Sequence, residues 1–261
     1  MKAIRKFLAA AALAAAATQA HAGPYSDLWW NPQESGWGVN VVQQLETAFV
    51  TLFVYGPDGK PTWYVAPAAE VSAYGSGGPH FSGALYRTEG PWHGGPFDPA
   101  KVKPAAVGAI TLEVLARDRM RVHYSVAGVS VVKEVTRQTW QHPMTAGSYV
   151  AQFVLRQAPP TGAPYGTRLY QADVMLHLLD GGEAFLRVDD QLGRRCEFRG
   201  PYLQAGKFTR VSGTYACDAG EPRAGTFELS DLEVTDHGVT GYLRTWSPTH
   251  REYGHFAAAR Y

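Results

Sequence analysis

From residue 37 onward one pattern organises the chain: a period of two, broken at short intervals by glycine, proline and aspartate. Trp37, Val39 and Val41 alternate with Gly38, Asn40 and Val42, which gives a strand two different faces. Residues 48–55 are a second run, rich in Val and Phe. Gly56-Pro57-Asp58-Gly59 then turns the chain, because proline presets φ and Asp-Gly accepts positive φ. Residues 61–66 return with Trp63 and Tyr64 and complete a meander. Strands are expected again at 81–88, 108–115, 119–126 and 130–139. In the second half they fall at 148–155, 168–179, 183–188, 194–203, 208–217, 226–234, 239–245 and 253–259. Asp180-Gly181-Gly182 is a hairpin turn. Gly/Pro-rich loops are expected at 74–80 and 89–104, the second too long for a hairpin turn alone.

No amphipathic helix accompanies these runs. Many short antiparallel strands predict an all-β chain, with two meander or barrel-like domains in tandem. Pro143 discourages a continuing strand within 141–147. The domains are therefore read as 23–143, a Trp-rich β-barrel or meander, and 144–261, a second β-barrel or sandwich. Residues 108–113 and 225–229 are faintly alike, which leaves a duplication open. An outer-membrane barrel would need a clean lipid-facing apolar alternation, which few of the runs show.

The first residues read differently. Lys2, Arg5 and Lys6 precede a short Leu/Ala run at 7–18 and an Ala20-His21-Ala22 site, the parts of a secretory signal peptide at 1–22. Cleavage would leave 239 residues (261 − 22) and export the chain to the periplasm or the extracellular space. No later stretch is long and apolar enough for a transmembrane helix. In an oxidising compartment the only two cysteines, Cys196 and Cys217, are expected to pair. Two cysteines without histidines at ligand spacing do not build a zinc site, so neither a metal nor a cofactor is expected. Lys and Arg number 24 against 23 Asp and Glu, which gives no basic stripe for a nucleic acid. Oligomeric state is not legible.

Asp27-Leu28-Trp29-Trp30-Asn31-Pro32-Gln33-Glu34-Ser35-Gly36-Trp37-Gly38 gathers three of the seven tryptophans. Phe53-Val54-Tyr55 and Pro61-Thr62-Trp63-Tyr64 follow it. Over residues 27–66 the chain resembles secreted bacterial proteins that carry a WWNPxESGWG-type segment with the same continuation. That resemblance implies export and a β fold and brings no activity with it. Gly-Trp at the start of a strand also resembles the calycin barrels, which bind small apolar ligands. The continuation departs from those families, so this likeness is one of architecture. Asn31-Pro32-Gln33-Glu34 is a tight turn whose Asn side chain bonds backbone two residues on. Trp29, Trp30 and Trp37 have two readings: large core residues that close one end of a barrel, or rings facing a cleft with Asn31 and Glu34 as polar contacts.

Trp63, and Trp92 with His93 in the 89–104 loop, complete the candidate ligand-binding set. Catalytic constellations are thin: there is no G-x-S-x-G elbow and no H-E-x-x-H. No residue is assigned a catalytic role. The expectation is an exported non-enzymatic β protein that binds a glycan or a small apolar ligand through an aromatic surface or a barrel mouth. Two alternatives are a secreted hydrolase using a carboxylate pair drawn from Glu34, Asp58, Glu89 and Asp98, and an envelope protein–protein interaction module presenting sheet edges.

Overall fold

The computed structural model describes residues 23–140, 146–158, 166–220 and 222–261. The expected signal peptide lies outside them, as does the expected boundary at 143/144. The chain forms two compact units that divide between Thr136 and Arg137, and each is a closed eight-stranded antiparallel barrel. The all-β reading with two barrels in tandem is therefore correct.

The first barrel runs β1 (Asp27–Trp30), β2 (Gly38–Gln44), β3 (Thr47–Tyr55), β4 (Pro61–Gly75), β5 (Gly78–Glu89), β6 (Lys103–Ala116), β7 (Arg119–Val126) and β8 (Val129–Arg137), in simple sequential order. Alternation sets its inside and outside. Met120 and Val122 of β7 are buried, while Arg119 and His123 on the other phase are exposed. Two stretches differ from expectation. The segment 74–80 is mostly strand: β4 continues to Gly75 and β5 starts at Gly78. The long strand β4 tolerates Pro67 because the register with both neighbours breaks there, between Ala66 and Ala69 against β3 and between Val65 and Glu70 against β5. A missing N–H leaves no ladder bond unmade at such an irregularity. Asp27–Trp30, expected as part of the turn-rich motif, is a short strand paired with β2.

The second barrel runs β9 (Gly147–Ala158), β10 (Gly166–Leu179), β11 (Glu183–Asp190), β12 (Arg195–Ala205), β13 (Phe208–Cys217), β14 (Ala224–Thr235), β15 (Gly238–Trp246) and β16 (Arg251–Arg260). β16 pairs back to β9 and closes the barrel. Cys196 and Cys217 face each other across β12 and β13 and are bonded. A Cβ on Gly213 would lie 2.0 Å from the Arg199 carbonyl oxygen, and one on Gly200 2.0 Å from that of Ser212. Only glycine fits where these two strands come so close.

Charged rows lie on the outside. Arg121 bridges Glu113 and Glu134 at 2.8 and 3.0 Å across β6, β7 and β8. Glu228 bridges Arg210 and Arg244, both at 3.0 Å, across β13, β14 and β15. Such exposed pairs contribute about 0.2–1 kcal/mol each but favour one register over its slips. Apolar inside and charged outside is the reverse of the pattern of a membrane-spanning barrel.

Candidate functional site

The tryptophan motif belongs to the architecture of the first barrel, and the structure distributes its residues over three places. Trp29 points inward and is completely buried. Its Nε1 donates to the Tyr25 carbonyl at 3.1 Å, so a large ring enters the core with its polar atom satisfied. Tyr25 in turn meets Phe81 edge-on at 5.9 Å. Its backbone N–H donates to the buried Gln43 Oε1 at 3.1 Å. This end of the barrel is plugged.

The loop after β1 covers the other end. Asn31 Oδ1 accepts from the Gln33 N–H at 2.9 Å, and the Glu34 N–H donates to the Asn31 carbonyl at 3.0 Å, the turn that Asn-Pro encodes. The turn delivers Glu34 to Lys133 of β8, whose Nζ donates to Oε1 at 2.7 Å, while Trp37 Nε1 donates to Oε2 at 3.1 Å. Lys133 holds the Glu34 carboxyl below the usual carboxylate range. Burial pushes the Tyr124 hydroxyl up, with Lys133 opposing. Glu34 and Trp37 thus form a clasp together with Lys133, a residue that sequence reasoning did not single out.

Trp30 and Trp63 share the outer surface. Gly38 pairs with Phe53 and Phe53 with Trp63. One step beyond the Trp29–Val39 pair, the register sets Trp30 opposite Gly38. A Cβ on Gly38 would sit 2.8 Å from the Phe53 ring, so the glycine lets that ring lie flat across β2. The result is an aromatic row with Trp63 half exposed and Tyr55 at 58%. Trp92 and His93 are both exposed on the loop between β5 and β6. Their rings stand 5.7 Å apart.

Of the carboxylates suggested for hydrolysis, Glu34 is held in the clasp by Lys133 and the other three have local partners. Asp58 Oδ1 accepts from the Lys60 N–H at 3.1 Å, and Asp98 Oδ1 from the Ala100 N–H at 3.0 Å, where it caps a short 3-10 turn. Glu89 lies 3.7 Å from Arg87.

The second barrel holds the more distinctive site. Its lumen contains an apolar cavity of about 60 Å³, within a hollow of about 700 Å³ once the open mouth is counted. Phe153, Tyr170, Phe256 and, from another column of rings, Phe198 line it. Tyr170 stacks on Phe153 at 4.8 Å and Phe153 on Phe256 at 5.4 Å. Across from them, Tyr215 stacks on Phe198 at 5.4 Å, and Phe198 meets Phe227 edge-on at 5.1 Å. Leu229, Val239 and Leu243 are among the aliphatic residues of the lining.

A second, polar chamber of about 40 Å³ adjoins it and shares Tyr170, Val188, Phe198 and Leu243. Arg168 lies over the Tyr170 ring at 4.5 Å and reaches Asp190 at 3.4 Å and Glu252 at 3.8 Å. Gln157 donates to the same Glu252 oxygen. Arg194 donates to the Pro222 carbonyl at 2.6 Å and contacts Cys217 Sγ at 3.2 Å. Its Nε is buried without a hydrogen-bond partner. The Tyr215 hydroxyl is likewise buried and makes no well-formed hydrogen bond, although the Thr245 and Ser247 hydroxyls offset part of the rise that burial imposes on its pKa. Burial raises Tyr170 further still, well beyond the ordinary tyrosine range.

None of these lumen residues was among the candidates from sequence. The signal was present in the phase of the strands: Arg168 and Tyr170 share the phase of the apolar residues Ala172, Val174 and Leu176, and Glu252 that of Gly254, Phe256 and Ala258. Charged residues in register with a core face mark the point where a barrel interior turns polar.

No protein-family model matches the chain, and none of the curated proteins does. Among the described residues, no group of three or more His, Cys, Asp or Glu side chains could hold a metal ion, and no helix is long and apolar enough to cross a membrane.

Proposed function

We propose that the chain is an exported, non-enzymatic binding protein whose second barrel takes a small apolar ligand into its lumen. The supporting observation is the hollow itself, walled by Phe153, Phe198, Leu229 and Leu243 in a barrel otherwise closed around its core. An apolar hollow of this kind gains by accepting an apolar guest. At about 60 Å³ it is smaller than the roughly 150 Å³ cavity that accommodates benzene. Since the hollow is open at its mouth, we take the guest to be an unbranched alkyl chain that extends from the cavity towards the opening. Export is supported by the charged-apolar-small pattern of residues 1–22 and by the Cys196–Cys217 disulfide.

The test is titration with 1-hexanol, followed through the methyl resonances of Leu229 and Leu243. Saturable shifts at these positions, abolished when Ala258→Phe fills the lumen, are expected. Shifts that never saturate, or that survive the filling, would refute the reading.

The outer aromatic row of the first barrel supports a second reading, a glycan platform at Trp30, Phe53 and Trp63. Rings on a rigid sheet, Trp63 exposed and Trp30 and Phe53 partly so, suit the apolar faces of sugars. Trp63→Ala would then weaken retention on an insoluble polysaccharide without changing the melting temperature.

A further inference from the structure

The polar chamber carries more information about the ligand than the hollow does. Two buried polar groups line it without a well-formed hydrogen bond, Arg194 Nε and the Tyr215 hydroxyl. Tyr215 is only 5% exposed. A buried donor left unmade is costly, and native interiors rarely hold two together. Arg194 Nε can only donate and the Tyr215 hydroxyl can donate as well, so a single acceptor would satisfy both.

Charge narrows its identity. Arg168, Asp190, Arg194 and Glu252 all face this chamber, together with Tyr170, Tyr215 and Thr245. The two carboxylates are already engaged. Asp190 accepts from Arg168 through one oxygen and from the Leu192 and Arg194 N–H groups through the other. Glu252 accepts from Gln157 and lies beside Arg168. Arg194, by contrast, has no carboxylate within ion-pair distance among the described residues; its contacts are a carbonyl and a sulfur. It is a largely buried cation without an anion, and its charge acts on both Tyr170 and Tyr215. The chamber adjoins the apolar hollow, and four residues line both.

We infer that the ligand of the second barrel is a straight-chain monocarboxylate, its carboxylate received by Arg194 and Tyr215 and its tail by the hollow between Phe153 and Phe198. The inference rests on the lumen-binding reading proposed above. Arg168 screens the incoming charge from Asp190 and Glu252, and Arg194 with Tyr215 supplies donors that a carboxylate oxygen satisfies. A hydrogen bond to a charged group in such a site is worth about tenfold or more in affinity.

Calorimetric titration of the oxidised protein with hexanoate and with 1-hexanol separates head from tail. Hexanoate should bind about tenfold or more tightly than 1-hexanol. Tyr215→Phe, which keeps the ring stack on Phe198, should remove most of that advantage and leave 1-hexanol binding unchanged. Arg194→Gln should do the same, and because Arg194 also ties the chain to Pro222, Tyr215→Phe is the deciding variant if Arg194→Gln fails to fold. Equal binding of the two compounds, or equal loss of both in Tyr215→Phe, would overturn the carboxylate inference and leave the lumen reading standing. Absence of binding by both to the unmodified protein would overturn the two together.

Discussion

The two barrels have the same number of strands and the same sequential topology, yet they use their interiors differently. In the first, Trp29, Phe81, Leu52, Leu85, Ile110, Leu112 and Met120 are all less than 2% exposed, and Tyr25 stops one end. In the second, the inward residues retain traces of exposure: Val174 and Val239 at 9%, Phe198 at 8%. Those residues line the hollow. An eight-stranded barrel is just wide enough for its own side chains to fill it or for one small ligand to enter. Which outcome is reached depends on what fills the middle. A tryptophan and a segment folded in from before β1 fill the first barrel. Phe153, Tyr170, Phe256 and Phe198 line the second together with aliphatic side chains and leave space between them.

Removing the filling is the strongest way to break this contrast. Trp29→Ala should destabilise the first barrel by about 3–5 kcal/mol, because a buried ring leaves a cavity in a tightly packed core. Leu243→Ala in the second barrel should cost less than the roughly 2–5 kcal/mol usual for a core leucine, since one of its sides already faces open space. Denaturant unfolding monitored separately for each barrel reads both. Equal costs would mean that the second barrel is packed as tightly as the first.

Reduction of the Cys196–Cys217 disulfide comes next and touches one side of the comparison alone. The cysteines are 21 residues apart, and closing a loop of that length stabilises by about 3 kcal/mol on the chain-entropy account. Reduced protein should lose that much in the transition of the second barrel and nothing in that of the first. A fall in the first transition would show that the two do not unfold independently.

Much of this architecture was legible beforehand, and for a definite reason. Period-two alternation and Gly/Pro/Asp turns act locally, so β2, β3, β7 and the Asp180-Gly181-Gly182 hairpin could be placed from the residues themselves. The cysteine pairing followed from there being only two. What resisted reading was set by closure. Nothing in the neighbourhood of Trp29 and Trp30 decides which faces inward, yet the β1–β2 register buries one and leaves the other on the outer face. Lys133 meets Glu34 from 99 positions away, and Arg168 meets Glu252 across strands brought together by the return of β16 to β9. The lumen site therefore stayed invisible in a scan for short motifs, although its charged residues stand in phase with core faces.

Filling the hollow should sharpen the contrast at a smaller scale. Ala258→Phe places a ring in empty space, and cavity filling of this kind commonly adds about 0.5–2 kcal/mol. The matched change in the first barrel, Ala48→Phe, forces a ring into a core without room and should cost about 1–3 kcal/mol. Opposite signs in thermal denaturation are the expected result. A loss in both barrels would show the hollow to be too narrow for any added group.

The smallest effect concerns the clasp over the first barrel and is best read through pH. Hydrogen bonding to Lys133 leads the causes that hold the Glu34 carboxyl below its usual range, with the Trp37 N–H adding to it. A carboxyl whose folded-state pKa is depressed lends stability that is fully present above its unfolded value and is lost as pH falls through the folded one. The midpoint of the first barrel should therefore drop as the solution is acidified through and below the carboxylate range. Glu34→Gln should remove that part of the dependence and leave the neutral-pH midpoint nearly unchanged, because both partners are substantially exposed and screened. Asp189 in the second barrel is depressed in the same way by Arg195 and Arg187, so the second transition provides an internal reference that Glu34→Gln does not alter. If the variant moved both transitions equally, the effect would come from net charge and the clasp would have no separate role in closing the first barrel.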